Sequence, residues 1–356
     1  MPRYSDSTIA AIKQSVDIVT LVGAYLPLHR SGSKYKALCP FHDDHTPSLE
    51  LNPEHQSYKC WACGAGGDAL SFVQAYERID FPEALRMLAE RAGIALETPA
   101  TDRENPAPAG SSKSDLLAVC GWAQGEFVKA LADSSEARAY LEGRGLTQPS
   151  LEKFALGFSP EDREWLQGRA RRARVSLNLL ETVGLVARKE GSNLLRDRFR
   201  GRVIFPIHDF QGRAIGFGGR ILPQVDAKWA QAGYKVGKYV NSPETLLFQK
   251  RKQLYAADLA RAAARQNGWV AVVEGYTDVI AAHQVGLENV VGTLGTALGD
   301  EHIQALRRLA DRVVLVFDGD EAGQKAADRS VELFLGHEVD VRVLTLPQGL
   351  DPCDFL

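Results

Sequence analysis

VAVVEGYTD, residues 270–278, is a short apolar run that ends on a carboxylate, and VVLVFDGD, residues 313–320, repeats the pattern. With two other runs, the apolar runs of this region lie at 269–273, 290–291, 313–317 and 341–346. They alternate with helical patterns near 277–285, 300–310 and 321–335. Short apolar strands separated by helices indicate a parallel sheet of the α/β kind. We therefore predict such a sheet in the C-terminal third of the chain.

The carboxylates that close these two runs predict a metal site. Glu274 ends the first run, and Asp318 and Asp320 end the second. Ligands of an open parallel sheet bind outside the carboxyl ends of its strands, so these acids converge if the strands are neighbours. Carboxylates this close repel one another unless a cation neutralises them, which favours Mg²⁺ or Mn²⁺. Alternatively, Asp320 and the nearby Asp278 cap the helices that follow the two strands.

A second metal site is predicted near the N-terminus, where CPFH at 39–42 and CWAC at 60–63 form two short turns. Together they offer Cys39, His42, Cys60 and Cys63, a set that suits one tetrahedral, structural Zn²⁺. His45 is an alternative ligand to His42, and two unrelated turns with reduced thiols are the alternative to a metal. Aromatic and basic side chains surround these turns, and they could either contact nucleic acid or form the core of a small module.

Composition narrows the class of protein. The chain has 356 residues, of which 45% are hydrophobic, and 42 basic against 45 acidic residues give a net charge of -3. This composition is globular, and the length suggests two or three domains. We find no apolar run that would span a membrane and no secretory signal, so we expect a cytoplasmic protein without a membrane partner. The Pro- and Ser-rich residues 98–114 are the predicted linker, with a zinc-binding domain at 1–97 before it.

Charge is uneven along the chain. From Arg188 to Arg220 there are eight basic and three acidic residues, and from Lys228 to Lys252 six basic and one acidic. We call residues 188–252 the basic strip. A local excess of positive charge of this size indicates a polyanionic partner, whatever the net charge of the whole chain.

Three blocks of the sequence resemble the bacterial DnaG-type DNA primases. They are KYKALCPFHDDHTPSLELNPEHQSYKCWACGAGGDALSF at 34–72, RFRGRVIFPIHDFQGRAIGFGGRIL with KYVNSPETLLFQK at 198–250, and the short runs VVEGYTD, GTLGTAL and VFDGD. The resemblance implies an α+β multidomain protein with an N-terminal zinc ribbon and an α+β polymerase core that contains a Toprim α/β parallel-sheet subdomain. We accordingly expect a basic subdomain at 115–256 and a Toprim subdomain at 257–356. The family continues beyond the position of Leu356, so we expect a C-terminally truncated chain.

The resemblance also implies roles for individual residues. Glu274, Asp318 and Asp320 correspond to the acidic catalytic core of Toprim, which holds about two Mg²⁺ or Mn²⁺ ions, and Asp278 and Asp351 support them. A further set corresponds to the patch that holds template, primer or NTP phosphates: Arg202, Arg220, Lys238, Tyr239, Asn241 and Thr296. The zinc ribbon is the family's reader of single-stranded template. A replicative helicase binds the family's C-terminal domain, which would be absent here.

The function that follows is synthesis of short RNA primers from NTPs on single-stranded DNA, at the replication fork in the nucleoid. Glu274 is the candidate general base, and a mechanism that uses only metals is the alternative. Two other classes remain: a non-catalytic module that binds single-stranded DNA, and a Toprim nuclease or topoisomerase-like strand-cleaver, for which we find no tyrosine nucleophile domain. Cys353 replaces a carboxylate of the family. We favour an extended conformation for residues 351–354, in which Asp351 faces the metals beside Cys353; in the alternative, a helical segment, Asp354 turns towards them instead.

Overall fold

The structure is a computed structural model. It describes residues 5–42, 44–77, 79, 81–94, 96, 112–188, 194–317, 321–337, 339–347, 350 and 352–356, without the side chains at 6, 321–326 and 328. The chain divides into two compact units, Met1–Glu104 and Asn105–Leu356. This division falls inside the predicted linker at 98–114, most of which lies outside the described residues, so the extent of the linker stays a prediction.

The first unit packs helices against a small antiparallel sheet of strand order β1-β2-β3-β4-β5. Its elements are α1 (Asp6–Ser15), α2 (Ile18–Gly23), β1 (His29–Ser31), β2 (Lys34–Ala37), β3 (Leu49–Asn52), β4 (Ser57–Cys60), β5 (Gly66–Gly67), α3 (Ala69–Glu77) and α4 (Phe81–Ala92). The sequence pattern predicts a single helix over 5–26, which is wrong. The helix breaks at Asp17, whose carboxylate accepts a hydrogen bond of 2.7 Å from the Thr20 N–H and so caps α2.

The second unit begins with helices around a mixed α+β layer. Its first elements are α5 (Lys113–Asp133), α6 (Ser135–Glu142), α7 (Gln148–Lys153), β6 (Gly157–Ser159), α8 (Trp165–Ala173), α9 (Leu177–Thr182), β7 (Val186–Arg188), β8 (Leu195–Asp197), β9 (Arg202–His208), β10 (Ala214–Ile221), α10 (Pro223–Gln231) and β11 (Tyr239–Asn241), with a 3-10 turn at Lys250–Lys252. An antiparallel sheet has the order β11-β10-β9-β6, and β7 pairs with β8 alone.

The remaining elements form the predicted parallel sheet. They are α11 (Ala257–Asn267), β12 (Trp269–Val273), α12 (Tyr276–Gln284), β13 (Val290–Gly292), α13 (Asp300–Leu309), β14 (Arg312–Phe317), α14 (Glu321–Phe334), β15 (Asp340–Thr345) and α15 (Pro352–Phe355). The strand order is β13-β12-β14-β15, and every neighbouring pair is parallel. The predicted fold class is confirmed.

The two sheets of the second unit share one hydrophobic core. Phe205 and Phe217 of the antiparallel sheet belong to the same buried cluster as Val273 and Tyr276 of the parallel layer. The Tyr276 ring stacks on Phe205 with 4.9 Å between ring centroids, and a Cβ at Gly218 would collide with the Tyr276 hydroxyl group. Packing is therefore continuous across the predicted subdomain boundary at 256/257, which itself stays a prediction.

The segment after Pro352 is helical. The extended conformation that we favoured for residues 351–354 is wrong, because Pro352–Phe355 forms α15 and the Leu356 N–H donates to the Pro352 carbonyl at 3.2 Å. Proline is favoured in the first turn of a helix, since its missing N–H would have no partner there. α15 packs against α12. Asp351 lies outside the described residues.

Asp197, at the end of β8, is a buried carboxylate that makes stability depend on pH. It accepts hydrogen bonds from the Leu166 N–H at 2.5 Å and from Gln167 Nε2 at 3.1 Å. Burial nevertheless dominates and raises the pKa of Asp197 to about 6 from an ordinary 3.8. A native pKa above the unfolded value stabilises the protonated form, so this contribution to stability grows as pH falls from 6 towards 4.

We expect Asp197→Asn to remove that contribution. Relative to wild type, the variant should gain about 2 kcal/mol of unfolding free energy between pH 4.5 and pH 7. Urea unfolding of both proteins at the two pH values measures this. A difference that is the same at both would show that Asp197 is ionised in the native state throughout.

Candidate functional site

Cys39, His42, Cys60 and Cys63 come together in the first unit, with their ligand atoms within 4.8 Å of one another. The Cys39 and Cys63 sulfurs are 3.8 Å apart, and His42 Nδ1 is 3.9 Å from the Cys60 sulfur. Sulfurs bound to one tetrahedral Zn²⁺ at about 2.3 Å would be about 3.8 Å apart. These four side chains therefore fit zinc, and His42 rather than His45 belongs to the cluster.

Polar neighbours hold these ligands from outside. Asp44 accepts a hydrogen bond of 2.7 Å from the Cys39 N–H and one of 2.6 Å from the Ser48 hydroxyl, and its Oδ1 lies 3.7 Å from His42 Nε2. The Ser48 hydroxyl oxygen is also 3.2 Å from the Cys60 sulfur. Burial opposes ionisation of Cys60, but hydrogen bonds to its sulfur, among them the one from the Cys63 N–H at 3.3 Å, outweigh it and lower the Cys60 pKa to about 6. Such outer contacts orient metal ligands.

The aromatic residues around the cluster divide into two groups. Tyr58 and Phe41 both pack edge-on against Phe72 in the core of the unit. These two aromatic residues therefore form the core of the small module, as the alternative to a nucleic-acid contact predicted. Trp61 is different, because it is 67% exposed and the Lys59 ammonium lies 4.7 Å from the centre of its ring. This pair retains the aromatic-and-cation character that suits an unpaired base and its phosphate.

In the second unit, β12 and β14 are adjacent and parallel, as the metal prediction requires. Val272 pairs with Leu315 in register, so both strands end at the same edge of the sheet. Glu274 is the first residue after β12 and is exposed there, and Phe317 is the last residue of β14. Asp318 and Asp320 follow Phe317 directly but lie outside the described residues, so their convergence with Glu274 stays a prediction.

Asp278 acts as a helix cap. Its Oδ2 accepts a hydrogen bond of 3.1 Å from the Gly275 N–H at the start of α12. A Cβ at position 275 would collide with this carboxylate, which explains the glycine in the sequence Glu-Gly-Tyr. The capping alternative thus holds for Asp278, and it places the carboxylate one turn from Glu274. A supporting role towards a metal stays a prediction.

Arg220 and Tyr239 form a cationic and aromatic patch beside this edge. The Arg220 guanidinium lies 5.0 Å from the centre of the Tyr239 ring, and its Nε donates to the Tyr140 hydroxyl group. Arg144, which is exposed, donates to the same hydroxyl at 3.5 Å. That hydrogen bond raises the pKa of Arg144, and Tyr239 and Cys353 contribute electrostatically. Arg144 was not predicted from the sequence, because it lies outside the basic strip; an aromatic residue four positions earlier, Tyr140, is a weak local signal.

Arg202 occupies a different environment from the rest of the predicted patch. It is 3% exposed, and its guanidinium donates to the carbonyls of Gly219 at 3.0 Å, Lys238 at 2.9 Å and Gly237 at 2.8 Å. Burial lowers its pKa to about 10. Through these hydrogen bonds Arg202 holds the backbone of residues 237 and 238 in place. A phosphate contact by Arg202 itself stays a prediction. Lys238 is exposed and forms no ion pair with any residue that the structure describes.

Asn241 links the antiparallel sheet to the parallel one. Its Nδ2 donates to the Leu294 carbonyl at 2.7 Å, and its Oδ1 accepts from the Tyr276 hydroxyl at 2.8 Å. Thr296, two residues beyond Leu294, has a buried Oγ1 without a hydrogen-bond partner in the described part of the chain. Of the predicted patch residues, Asn241 and Tyr239 thus lie beside Tyr276 in the first turn of α12, and the Asn241 amide is engaged by the protein itself.

Several charges of the basic strip are already neutralised by acids. The ion pairs are Arg188–Glu181 at 2.7 Å, Arg213–Asp209 at 2.7 Å, Lys228–Glu161 at 3.0 Å and Arg251–Glu301 at 3.4 Å. The charge count of the sequence therefore overstates the positive charge that a polyanion would meet. None of the helices in the described ranges has the length and apolar character that a membrane span needs.

A zinc-ribbon unit followed by a mixed core with a parallel sheet defines a protein of the zinc-ribbon and Toprim class. Residues 4–104 match the CHC2 zinc finger, residues 127–261 the N-terminal domain of the DNA primase catalytic core, and residues 271–356 the Toprim-like family. The crystal structure of the Aquifex aeolicus primase, with its zinc-binding and RNA polymerase domains, is 34% identical with a TM-score of 0.62 and covers 99% of this chain and 82% of its own. The chain belongs to the DnaG-type DNA primase family.

Two further relatives define the extent of the likeness. The DNA primase of Halalkalibacterium halodurans is 38% identical over 99% of this chain, which spans 57% of that protein. A DnaG primase catalytic domain solved in complex with single-stranded DNA is 34% identical with a TM-score of 0.58, covering 68% of this chain and 76% of its own. The chain therefore spans little more than half the length of its full primase relative.

Proposed function

We propose that this chain synthesises short RNA primers on a single-stranded DNA template. The observation that carries the proposal is the edge of the parallel sheet, where Glu274 follows β12 and the in-register neighbour β14 leads into Asp318 and Asp320. The solved DnaG domain bound to single-stranded DNA supports the choice of template. The family membership of both units supports the reaction class and a site of action at the replication fork.

Glu274, Asp318 and Asp320, with Asp278 and Asp351 in support, are the proposed carboxylates for about two Mg²⁺ or Mn²⁺ ions. Hard divalent cations prefer carboxylate oxygens, and the exposure of Glu274 leaves it accessible to them. Bound there, such ions lower the pKa of an attacking hydroxyl group and neutralise triphosphate charge. Cys39, His42, Cys60 and Cys63 are the proposed ligands of one structural Zn²⁺.

The basic patch supplies the positive charge that phosphate groups need and that the carboxylates lack. Arg220, Arg144 and Lys238 are the proposed contacts for template, primer or NTP phosphates. Arg202 supports Lys238 through the backbone carbonyls of residues 237 and 238. Tyr239, stacked beside Arg220 and 41% exposed, offers a flat surface for a base. Thr296, whose buried Oγ1 has no hydrogen-bond partner among the described residues, is a further proposed contact.

Primer synthesis on a single-stranded template with labelled NTPs tests the proposal. Product should form with Mg²⁺ or Mn²⁺, disappear with a chelator of divalent cations, and return when the cation is restored. A chain that binds template and metal but extends no RNA would overturn it. Binding of a replicative helicase is an expectation for the family's longer members, and we propose no helicase contact for these residues.

A non-catalytic role in binding single-stranded DNA is the second candidate, and Cys353 favours it. A neutral thiol is a poor ligand for a hard cation, so replacing a carboxylate there would weaken one metal position. Mn²⁺ titration separates the two functions. Undetectable Mn²⁺ binding together with intact DNA affinity would support the second candidate.

Template binding should depend steeply on salt. If the patch and strip neutralise four or five phosphates, log K should fall with log salt at a slope of about -3, using roughly -0.7 per contact for single strands. Lys238→Ala should flatten the slope by about 0.7 without changing sequence preference. Lys129→Ala is the control, because Lys129 already pairs with Glu126 at 2.9 Å. Equal slopes for wild type and Lys238→Ala would place the template elsewhere.

A further inference from the structure

Gln284, the last residue of α12, makes an unusual set of contacts for a surface side chain. Its Oε1 accepts three hydrogen bonds, from the Thr147 N–H at 2.9 Å, the Thr147 hydroxyl at 3.0 Å and the Ser150 hydroxyl at 2.9 Å. Its Nε2 donates to the Gly145 carbonyl at 2.9 Å. One amide group therefore binds both sides of the turn that joins α6 to α7.

This arrangement holds the N-terminal end of α7, which lacks a side-chain cap of its own. Thr147 is the N-cap residue of α7, but its own side chain makes no capping hydrogen bond. The first N–H groups of a helix have no partner within the helix and are usually bound by a side-chain oxygen from the preceding residue. Gln284 Oε1 instead binds the N–H of Thr147 itself and the hydroxyls of Thr147 and Ser150, from a position more than a hundred residues away in sequence.

The turn that Gln284 binds carries Arg144. Gly145, whose carbonyl accepts from Gln284, directly follows Arg144, and Arg144 donates to Tyr140. α12 itself begins next to Glu274 and carries Asp278 in its first turn. A single helix thus joins the proposed metal edge at its start to the basic turn at its end.

The contacts form a closed ring. From Gln284 they lead through Arg144 to the Tyr140 hydroxyl, which also accepts from Arg220. Arg220 lies over Tyr239, and the Tyr239 ring is 6.1 Å from that of Tyr276, in the first turn of α12. Because the ring closes, the distance between the cations of the patch and the carboxylates depends on these contacts, and Gln284 joins the end of α12 directly to Gly145, the residue after Arg144.

We propose that Gln284 is a positioning residue, which holds Arg144 at a fixed separation from the metal-binding edge. The expected effect on kcat rests on the proposed function, whereas the anchoring of the turn by Gln284 does not. Misplacement of a substrate-binding group by about 1 Å can cost a hundredfold in rate, so the loss of one anchoring amide should be visible in kcat.

The first experiment measures anchoring without any reaction. Hydrogen exchange of peptides that cover residues 143–151 should be faster in Gln284→Ala than in wild type. The matched control is Glu288→Ala, which removes the exposed ion pair at 2.5 Å between Lys153, the last residue of α7, and the segment that follows α12. It should leave exchange near wild type, because an exposed ion pair contributes little. Unchanged exchange in Gln284→Ala would overturn the inference.

The second experiment separates positioning from general stability. At a temperature well below unfolding, Gln284→Ala should lower the kcat of primer synthesis roughly 10- to 100-fold and change template affinity less than about twofold. Gln284→Glu keeps the oxygen acceptors and loses the donation to Gly145, so it should recover part of the rate. Glu288→Ala should match wild type.

A double-mutant cycle with Arg144→Ala identifies the residue through which Gln284 acts. If Gln284 acts by placing Arg144, the double variant should be no slower than Arg144→Ala alone. Additive losses, or a lower melting temperature with normal kcat, would overturn the positioning role. If wild type made no primers, the proposed function would fail, while the exchange measurement would still decide whether Gln284 anchors the turn.

Discussion

Replacing Asp318 and Asp320 together with alanine is expected to abolish primer synthesis. Both residues follow β14, whose in-register neighbour β12 ends next to Glu274, so the double variant would remove two of the three acids at that edge. Metal ions at such a site contribute several kcal/mol of transition-state stabilisation, and each 1.4 kcal/mol is tenfold in rate. We therefore expect a loss of roughly a thousandfold or more in an assay with labelled NTPs.

The fold should survive this change, because the two acids lie beyond the last core residue of the strand, Phe317. Circular dichroism and template binding should remain as in wild type. Glu332→Ala is the control, since Glu332 is an exposed acid on α14, the helix that follows the two aspartates. Primer synthesis by the double variant at the wild-type rate would show that these acids do not hold the catalytic metals.

The second large effect is expected for Cys60→Ser, which should unfold residues 30–70 and leave the second unit intact. The strands of the first unit are only two to four residues long, and Cys60 itself lies in their core. Metal binding contributes about 10–16 kcal/mol apparent in small zinc modules. The second unit has its own hydrophobic clusters, and its unfolding should not change.

Zinc content and circular dichroism measure this result. Wild type should carry one zinc per chain and Cys60→Ser none, whereas Cys353→Ser, which changes a thiol of the other unit, should keep its zinc. His45→Ala should keep it as well, because His42 occupies the cluster. One zinc in Cys60→Ser would mean that the ligands are wrongly assigned.

The sequence predicts those parts of the fold that local patterns determine. Apolar runs near 269, 290, 313 and 341 become the parallel strands, and the two short turns at 39–42 and 60–63 converge as their ligand spacing requires. The break at Asp17 was missed because the apolar period continues through it, although aspartate is a strong capping residue. The helix after Pro352 was missed because proline is equally compatible with an extended chain and with a first helical turn.

The roles of individual basic residues were harder to predict, because they depend on contacts distant in sequence. In the sequence, Arg202 is one more cation of the basic strip. In the structure, its guanidinium donates to three backbone carbonyls, two of them from residues 237 and 238. Gln284 carries no charge and matches no motif, so only the three-dimensional contact with Thr147 and Gly145 reveals it. Charge counts predict that a surface is basic, but they do not distinguish a residue that supports the surface from one that forms it.

The shared core of the second unit limits which segments this protein can exchange with related proteins by recombination. Tyr276 occupies the space that any side chain at position 218 would need, so the sequences of β10 and α12 must change together during evolution. A recombination event near residue 256 would transfer half of a core and leave the other half without its partner. The first unit carries separate hydrophobic clusters of its own, which makes it the part of the chain that can be inherited as an independent module.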